Sequence, residues 1–353
     1  MAVNLRDVAR LAGVSVPTAS RVLSGSDYPV AEDLRARVAE AAEKLDYVPN
    51  AQAQALLHGN RSTVGVLVGD VGDPYFSEIV NGVHTAAAEQ RLLVTICNTE
   101  RDVDRELEYF RMLQAHRTGA VIVAGSDLLD ERYRSGMRAR IDSFCSGGGR
   151  VAAIGAPSLG ADRVEVANAA GGRRLAEHLV GLGHRRIGVL AAPATVASTR
   201  ERVAGLREVV EAAGGVLHVR HGAPSREEGH AGTPELMAYG VTALVGTADQ
   251  MALGALARLR EQGLTVPGEV SVAGFNDITA AQDAWPALTS VRLPLREMGA
   301  AALRLATSLQ ADAGPRVRRL GTELVVRAST GPLPRDQSPD GGDAAGSAAR
   351  TDS

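Results

Sequence analysis

Aromatic residues are scarce. Phe, Trp and Tyr make up 3% of the 353 residues, so the core must be aliphatic, built from Val, Leu, Ile and Ala. Cysteine is nearly absent: Cys97 and Cys145 are the only two, which excludes a disulfide framework and a four-sulfur zinc site. Both lie near apolar runs and are expected to be small buried residues in a reducing compartment. Lys44 is the only lysine, which we take as a coding bias. A formal net charge of −3 removes the simplest signal for a nucleic-acid partner, a strongly basic chain. Only a motif can carry that reading. No run of about 18 apolar residues exists, so no membrane span is expected. The stretch Met1 to Gly13 is interrupted by Arg6, Asp7 and Arg10, unlike the apolar region of an export signal, and a cytoplasmic location is expected. There is no Walker A loop, Gly-x-Ser-x-Gly elbow or His-Glu-x-x-His pair. No enzyme activity, catalytic residue, cofactor or metal is therefore expected. His218, His221 and His230 lack an obvious acidic partner in the sequence and read as surface histidines.

What is present separates into segments. Residues 1–48 hold short helical stretches without a strand run, and 49–61 form a bridge. Residues 62–331 alternate β runs with helical runs, and 332–353, rich in Pro, Gly, Ser, Asp and Ala, are expected to be a disordered tail. In the middle segment Thr63–Gly69, Leu92–Cys97, Ala120–Ala124 and Arg150–Ile154 read as strands, with helices near Tyr75–Gln90 and Asp102–His116. The pattern restarts with helix Ala169–Leu182, strand Arg186–Leu190, helix Thr199–Ala213, and strands Val216–Arg220, Ala243–Gly246 and Val270–Gly274. Alternation of this kind implies an α/β fold with parallel sheets covered on both faces. Two such runs imply two lobes, 62–162 with 293–320 and 163–292 with 321–331, joined by more than one crossover.

The N-terminal segment has its own grammar. Asn4 can cap a first helix, with Asp7 favourable near its start and Leu5, Val8 and Leu11 as its apolar face. Gly13 supplies a turn, Ser15 caps a second helix, and Pro17 falls in that helix's first turn. A third helix, Ala31 to Leu45, covers the pair with Leu34, Val38, Ala41 and Leu45. This is helix-turn-helix patterning. The runs Leu5–Ser15, Thr18–Leu23 and Tyr47–Asn50 resemble the LacI/GalR family of bacterial transcription regulators. So do Asp73-Pro-Tyr-Phe76, Gly183–Ile187, Arg200-Glu-Arg202, Asp249–Gly254, Val270–Phe275, Leu288–Arg292 and Thr322–Arg327, so the resemblance spans about residues 4–331.

The resemblance implies an all-α helix-turn-helix headpiece and a two-lobed, periplasmic-binding-protein-like core. It implies a homodimeric repressor on double-stranded, palindromic operator DNA, controlled by a small molecule of sugar or nucleoside class between the lobes. The alternative is an effector-independent DNA-binding regulator whose core serves only dimerisation. The second helix would enter the major groove with Val16, Pro17 and Arg21 toward base edges. Arg21 can donate two bonds to a guanine, while the bland reading is a solvated helix arginine. Ser15, Thr18 and Ser20 fit caps and phosphate contacts. In the bridge, Asn50, Ala53, Gln54 and Leu56 would form a hinge helix on the minor groove, Leu56 wedging between base steps. The alternative there is a helical linker docked on the core. By the same resemblance the effector residues are Asp70, Asp73, Tyr75, Phe76 and Ser126 from one lobe, and Ser198, Arg202, Ala248, Asp249 and Asn276 from the other. Three departures bear on the ligand. The family commonly has Asn-Asp at Ala248-Asp249, Asp-Asp at Asn276-Asp277, and an aromatic near Pro224. Their loss argues against an ordinary hexose.

Overall fold

The computed structural model describes residues 3–24, 29–48, 62–124, 130–155, 157–308 and 314–333. The chain divides into two compact units, Met1–Thr63 and Val64–Ser353. The first holds three helices, α1 (Leu5–Ala12), α2 (Val16–Leu23) and α3 (Glu32–Lys44). Asn4 accepts from the Arg6 and Asp7 amides while the Asp7 carboxylate accepts from the Asn4 amide, a reciprocal capping box. Gly13 ends α1 at φ +64, a left-handed backbone that glycine adopts without strain. Val8, Ala9, Ala12, Ala19, Val38, Ala41 and Ala42 form the core of the unit. Leu11, expected on the apolar face of α1, is instead 52% exposed. Small alanines let the helices approach closely, so the face closes at Val8, Ala9 and Ala12 and Leu11 falls outside it. No side chain caps α3, where Ala31 stands at the N-cap.

The second unit contains two six-stranded sheets. The first has the order β11-β5-β4-β3-β1-β2, built from β1 (Thr63–Val68), β2 (Leu93–Asn98), β3 (Ala120–Ala124), β4 (Arg150–Ile154), β5 (Asp162–Val166) and β11 (Val317–Leu320). The second has the order β12-β10-β9-β8-β6-β7, built from β6 (Arg186–Ala191), β7 (Val216–His221), β8 (Ala243–Gly246), β9 (Ser271–Asn276), β10 (Thr289–Arg292) and β12 (Glu323–Val325). Pairing is parallel through β1, β3, β4, β5 and β11, and through β7, β6, β8, β9 and β10. The edge strand β12 runs antiparallel to β10. Strand burial explains the pattern: β3 and β9 are buried throughout, as strands covered on both faces must be.

Helices α4 (Pro74–Glu89) and α12 (Leu295–Thr307) cover one face of the first sheet, and α5 (Val103–Ala115) and α6 (Glu131–Ser146) the other. In the second lobe α7 (Asn168–Gly181) and α8 (Ala197–Ala212) cover one face. There α9 (Arg226–Met237), α10 (Asp249–Glu261) and the short α11 (Thr279–Asp283) cover the other. The chain passes between lobes three times: after β5, after β10 and after β11. The boundary expected at residue 163 therefore moves past Val166. β5 pairs with β4 on one side and with β11 on the other, which keeps it in the first sheet.

Two smaller expectations change. Cys145 is exposed and Cys97 half-buried, because each sits near the end of its element. The three histidines have separate partners: His218 stacks on Tyr239, His221 bonds the Ala192 carbonyl, and His230 does have an acidic partner, Glu261, at 2.7 Å. No cluster able to hold a metal ion occurs among the described residues. No helix among them is long and apolar enough to cross a membrane.

Candidate functional site

In the helical unit, the turn joining α1 to α2 is held from outside. Arg37 on α3 donates to the carbonyls of Ala12 and Gly13, the latter at 3.2 Å. A Cβ at Gly13 would stand 2.7 Å from the Arg37 guanidinium, so a larger residue would displace that side chain from the turn as well as strain φ. Ser15 caps α2 by accepting from the Thr18 amide at 3.3 Å, and the two hydroxyls lie 2.8 Å apart. Ala19, fully buried, anchors α2 on its neighbours. The opposite face presents Ser15, Val16, Pro17 and Arg21 to solvent, with Thr18 and Ser20 half-buried beside them. All six groups named from the sequence thus lie on one short helix and its cap. The hinge residues Asn50, Ala53, Gln54 and Leu56 lie outside the described residues.

The second unit has a cavity of about 290 Å³ where the strands of both sheets end. Ligand sites in open α/β sheets lie at the carboxyl ends of strands for this reason: the loops there leave space and carry polar groups. The first lobe contributes Asp73, Tyr75, Phe76 and Arg101, and the second Asn168, Ser198, Thr199, Arg202, Thr247, Ala248 and Asn276. Val166, Asn168 and Leu293 in its wall belong to the segments where the chain crosses between lobes.

Arg202 is the most connected of these groups. Its side chain, 6% exposed, donates through Nε to Asn168 Oδ1 at 2.9 Å. Through Nη1 it donates to the Thr247 carbonyl at 2.6 Å and to Asn276 Oδ1 at 3.2 Å. The guanidinium lies 5.0 Å over the Phe275 ring. Nη2 has no protein partner among the described residues. Burial pushes the Arg202 pKa below its ordinary value. Asn276, the acceptor at the end of β9, sits at φ +109, and Asp277 follows at φ +58. Such backbone is unfavourable for non-glycine residues and is a familiar feature of ligand sites.

On the facing wall Asp73 caps α4, accepting from the Tyr75 amide at 3.0 Å. It also accepts from Arg101 at 3.1 Å. Burial outweighs these partners and raises the Asp73 pKa. Tyr75 meets Phe76 edge-on, 4.9 Å between centroids at 82°. Burial raises the Tyr75 phenol above its ordinary value as well. Helices α7, α8 and α10 begin on the cavity, and none has a side-chain cap.

Seven of the ten effector candidates named from the sequence line this space: Asp73, Tyr75, Phe76, Ser198, Arg202, Ala248 and Asn276. Ser126 lies outside the described residues. Asp70 and Asp249 do not line it. Asp70 is exposed and accepts from the Gly72 amide at 2.8 Å, holding its own turn. Asp249 is fully buried and turned away, accepting from Ser290 Oγ at 2.6 Å and the Ile278 amide at 2.8 Å. Burial pushes its pKa up to about 7. Its role here is to tie α10 to the start of β10 and to the segment just after β9. Five polar wall residues were missed: Arg101, Asn168, Thr195, Thr199 and Thr247. Each lies just past a strand or at a helix start, the one signal that singles them out.

Comparison with known proteins agrees with this division. Residues 4–50 match the model described as bacterial regulatory proteins, lacI family, and residues 176–330 match a periplasmic binding protein-like domain. The HTH-type transcriptional regulator GalR of Escherichia coli K12 is 33% identical over 310 residues, covering 86% of this chain and 88% of that protein. The HTH-type transcriptional repressor PurR of Vibrio campbellii is 32% identical over 332 residues, covering 92% and 97%. Among solved structures, the lac repressor dimer bound to operator and the anti-inducer ONPF superposes with a TM-score of 0.82 at 28% identity, covering 94% of this chain and all of that one. A complex of the transcriptional regulator CelR with cellobiose gives 0.67 at 31% identity, covering 93% and 99%. These relatives are regulators, not enzymes.

Proposed function

The chain belongs to the LacI family of bacterial transcription regulators, and from that premise we propose that it represses transcription in the cytoplasm as a homodimer on a palindromic operator, under control of a small molecule in the inter-lobe cavity. The observation that carries the effector part is Arg202: a buried guanidinium in the wall of a cavity lined by both lobes, held by three acceptors, with one terminal nitrogen unpaired among the described residues. A ligand touching Tyr75 on one wall and Arg202 on the other holds the lobes together, so it binds one lobe arrangement better than another. That differential affinity is what transmits the signal to the DNA-binding unit.

In the DNA-binding unit, Val16, Pro17 and Arg21 read base edges, with Ser15, Thr18 and Ser20 at the phosphates. Asn50, Ala53, Gln54 and Leu56 supply the second contact, as a hinge on the minor groove. Selection of genomic fragments on the purified protein tests the reading. The expected product is a palindrome with a central CpG-like step, and genes beside it would name the effector. A single asymmetric site would refute the dimer. For the cleft, Arg202→Ala is expected to abolish the effector response while operator affinity stays within about twofold. Persistence of effector-driven DNA release in that variant would refute the assignment.

A further inference from the structure

Among the described residues, the buried cation in the cavity wall has no anionic group in direct contact. Arg202 is 6% exposed, and its three acceptors, the Asn168 and Asn276 side-chain carbonyls and the Thr247 backbone carbonyl, are all neutral. A buried cation ordinarily has an anionic partner, because neutral acceptors offset only part of its lost hydration. The nearby carboxylates among the described residues are engaged elsewhere. Asp73 is paired with Arg101 at 3.1 Å, and Glu201 accepts from the Asn168 amide at 3.0 Å. Asp249 is turned to Ser290 and the Ile278 amide, and Asp277 is held between Arg292 and Arg327.

The backbone adds to the same sign. Helices α7, α8 and α10, of 14, 16 and 13 residues, all open on the cavity without a side-chain cap. Each such end presents amide N–H groups and roughly half a positive charge, offset at α10 by Asp249 in its first turn. Arg202 lines the cavity, and its Nη2 donates to no protein acceptor among the described residues, which leaves those N–H groups available to a ligand. The facing wall, with Tyr75 and Phe76, is aromatic and suits the body of a ring. The volume, about 290 Å³, is at the low end for small-molecule sites and fits one ring.

We propose that the effector is an anionic one-ring metabolite, bearing a phosphate or a carboxylate that seats against Arg202 and the starts of α7, α8 and α10. This rests on the reading of the cavity as the effector site. A neutral sugar would leave the guanidinium with only the more distant Glu201, Asp249 and Asp73 as counter-charges and no anion in contact, and the binding preference follows from that difference.

Matched pairs test it, by calorimetry on the full-length protein: glucose 6-phosphate, ribose 5-phosphate and glucuronate against glucose and ribose, with inorganic phosphate as the bare anion. At least one charged member is expected to bind tenfold or more tightly than its neutral parent. Phosphate esters outbinding glucuronate would name phosphate as the group, and the reverse would name carboxylate. Asn276→Asp keeps Arg202 in place and gives it a carboxylate. That variant is expected to lose at least tenfold more affinity for the charged ligand than for the neutral parent. Circular dichroism of the variant checks that it folds. Neutral parents binding as tightly as charged ones would overturn the anion assignment and leave the effector site standing. No heat with any compound, inorganic phosphate included, would overturn the anion assignment and remove support for the effector site with it.

Discussion

Glu106→Gln is expected to stabilise the first lobe above neutral pH. Glu106 sits on α5, 3% exposed, and its Oε1 accepts from the Tyr133 hydroxyl of α6 at 2.8 Å. Burial pushes its pKa from 4.5 up to about 7, against the smaller opposing effect of that hydrogen bond. The unfolded chain releases the proton near 4.5, while the folded chain holds it to about 7. Between those values the folded state binds more protons, so stability falls as pH rises through the interval. It is fully present below the lower value and lost above the upper one. At about 1.4 kcal/mol per tenfold in proton affinity, the gap is worth about 3 kcal/mol. Gln carries the neutral shape, and its carbonyl still accepts from Tyr133. Its amide must find a partner, which takes back about 1 kcal/mol or more. The net expectation is a gain of about 1–2 kcal/mol above neutrality, and a flatter pH dependence. Urea unfolding at acid and alkaline pH measures both, and amide exchange in α5 and α6 separates the first lobe from the second. A variant less stable than the parent at alkaline pH, or one with the same pH slope, would show that the carboxyl is not held neutral by burial.

Three further predictions concern the DNA contacts and the cleft. Leu56→Ala is expected to lower operator affinity at least tenfold if the leucine wedges between base steps; anisotropy with the selected operator measures it, and an unchanged affinity would count against the hinge. Arg21→Ala is expected to lose about 1–3 kcal/mol of discrimination at one base pair of each half-site. A uniform loss across operator variants would instead assign Arg21 to a phosphate. Gly205→Ala would place a Cβ 2.1 Å from the Ala169 carbonyl, where α8 crosses α7 with Gly172 opposite. Overpacking of that kind costs about 1–3 kcal/mol. Because Asn168 and Arg202 ride on the same two helices, thermal stability and ligand affinity should fall together; ligand affinity unchanged at lowered stability would separate the crossing from the site.

Local chemistry made the fold largely legible, and the failures have physical causes. Asn4, Gly13, Ser15 and Pro17 act within one turn of where they stand, so their roles follow from their identities. The lobe boundary at residue 163 cuts β5 because the lobe of that strand is decided by pairing with β11, about 150 residues away, which no local pattern encodes. Asp249 and Asn276 illustrate the limit at the site. Both are short polar residues next to strand ends. Asp249 is drawn back by Ser290 and the Ile278 amide, whereas Asn276 is carried toward Arg202 on a backbone with φ +109. Side-chain direction of that kind is set by partners on other elements.

The same distinction explains the near-neutral charge. In the headpiece Arg10 pairs with Asp7, Lys44 with Glu40, and Arg37 is committed to the Ala12 and Gly13 carbonyls. Cations used this way build the unit instead of attracting phosphates. In the proposed dimer, sequence-independent attraction is therefore small, and occupancy depends on base-edge contacts made by two headpieces at once. A chain without a basic surplus can still find one operator, provided its selectivity comes from pairing of half-sites and not from charge.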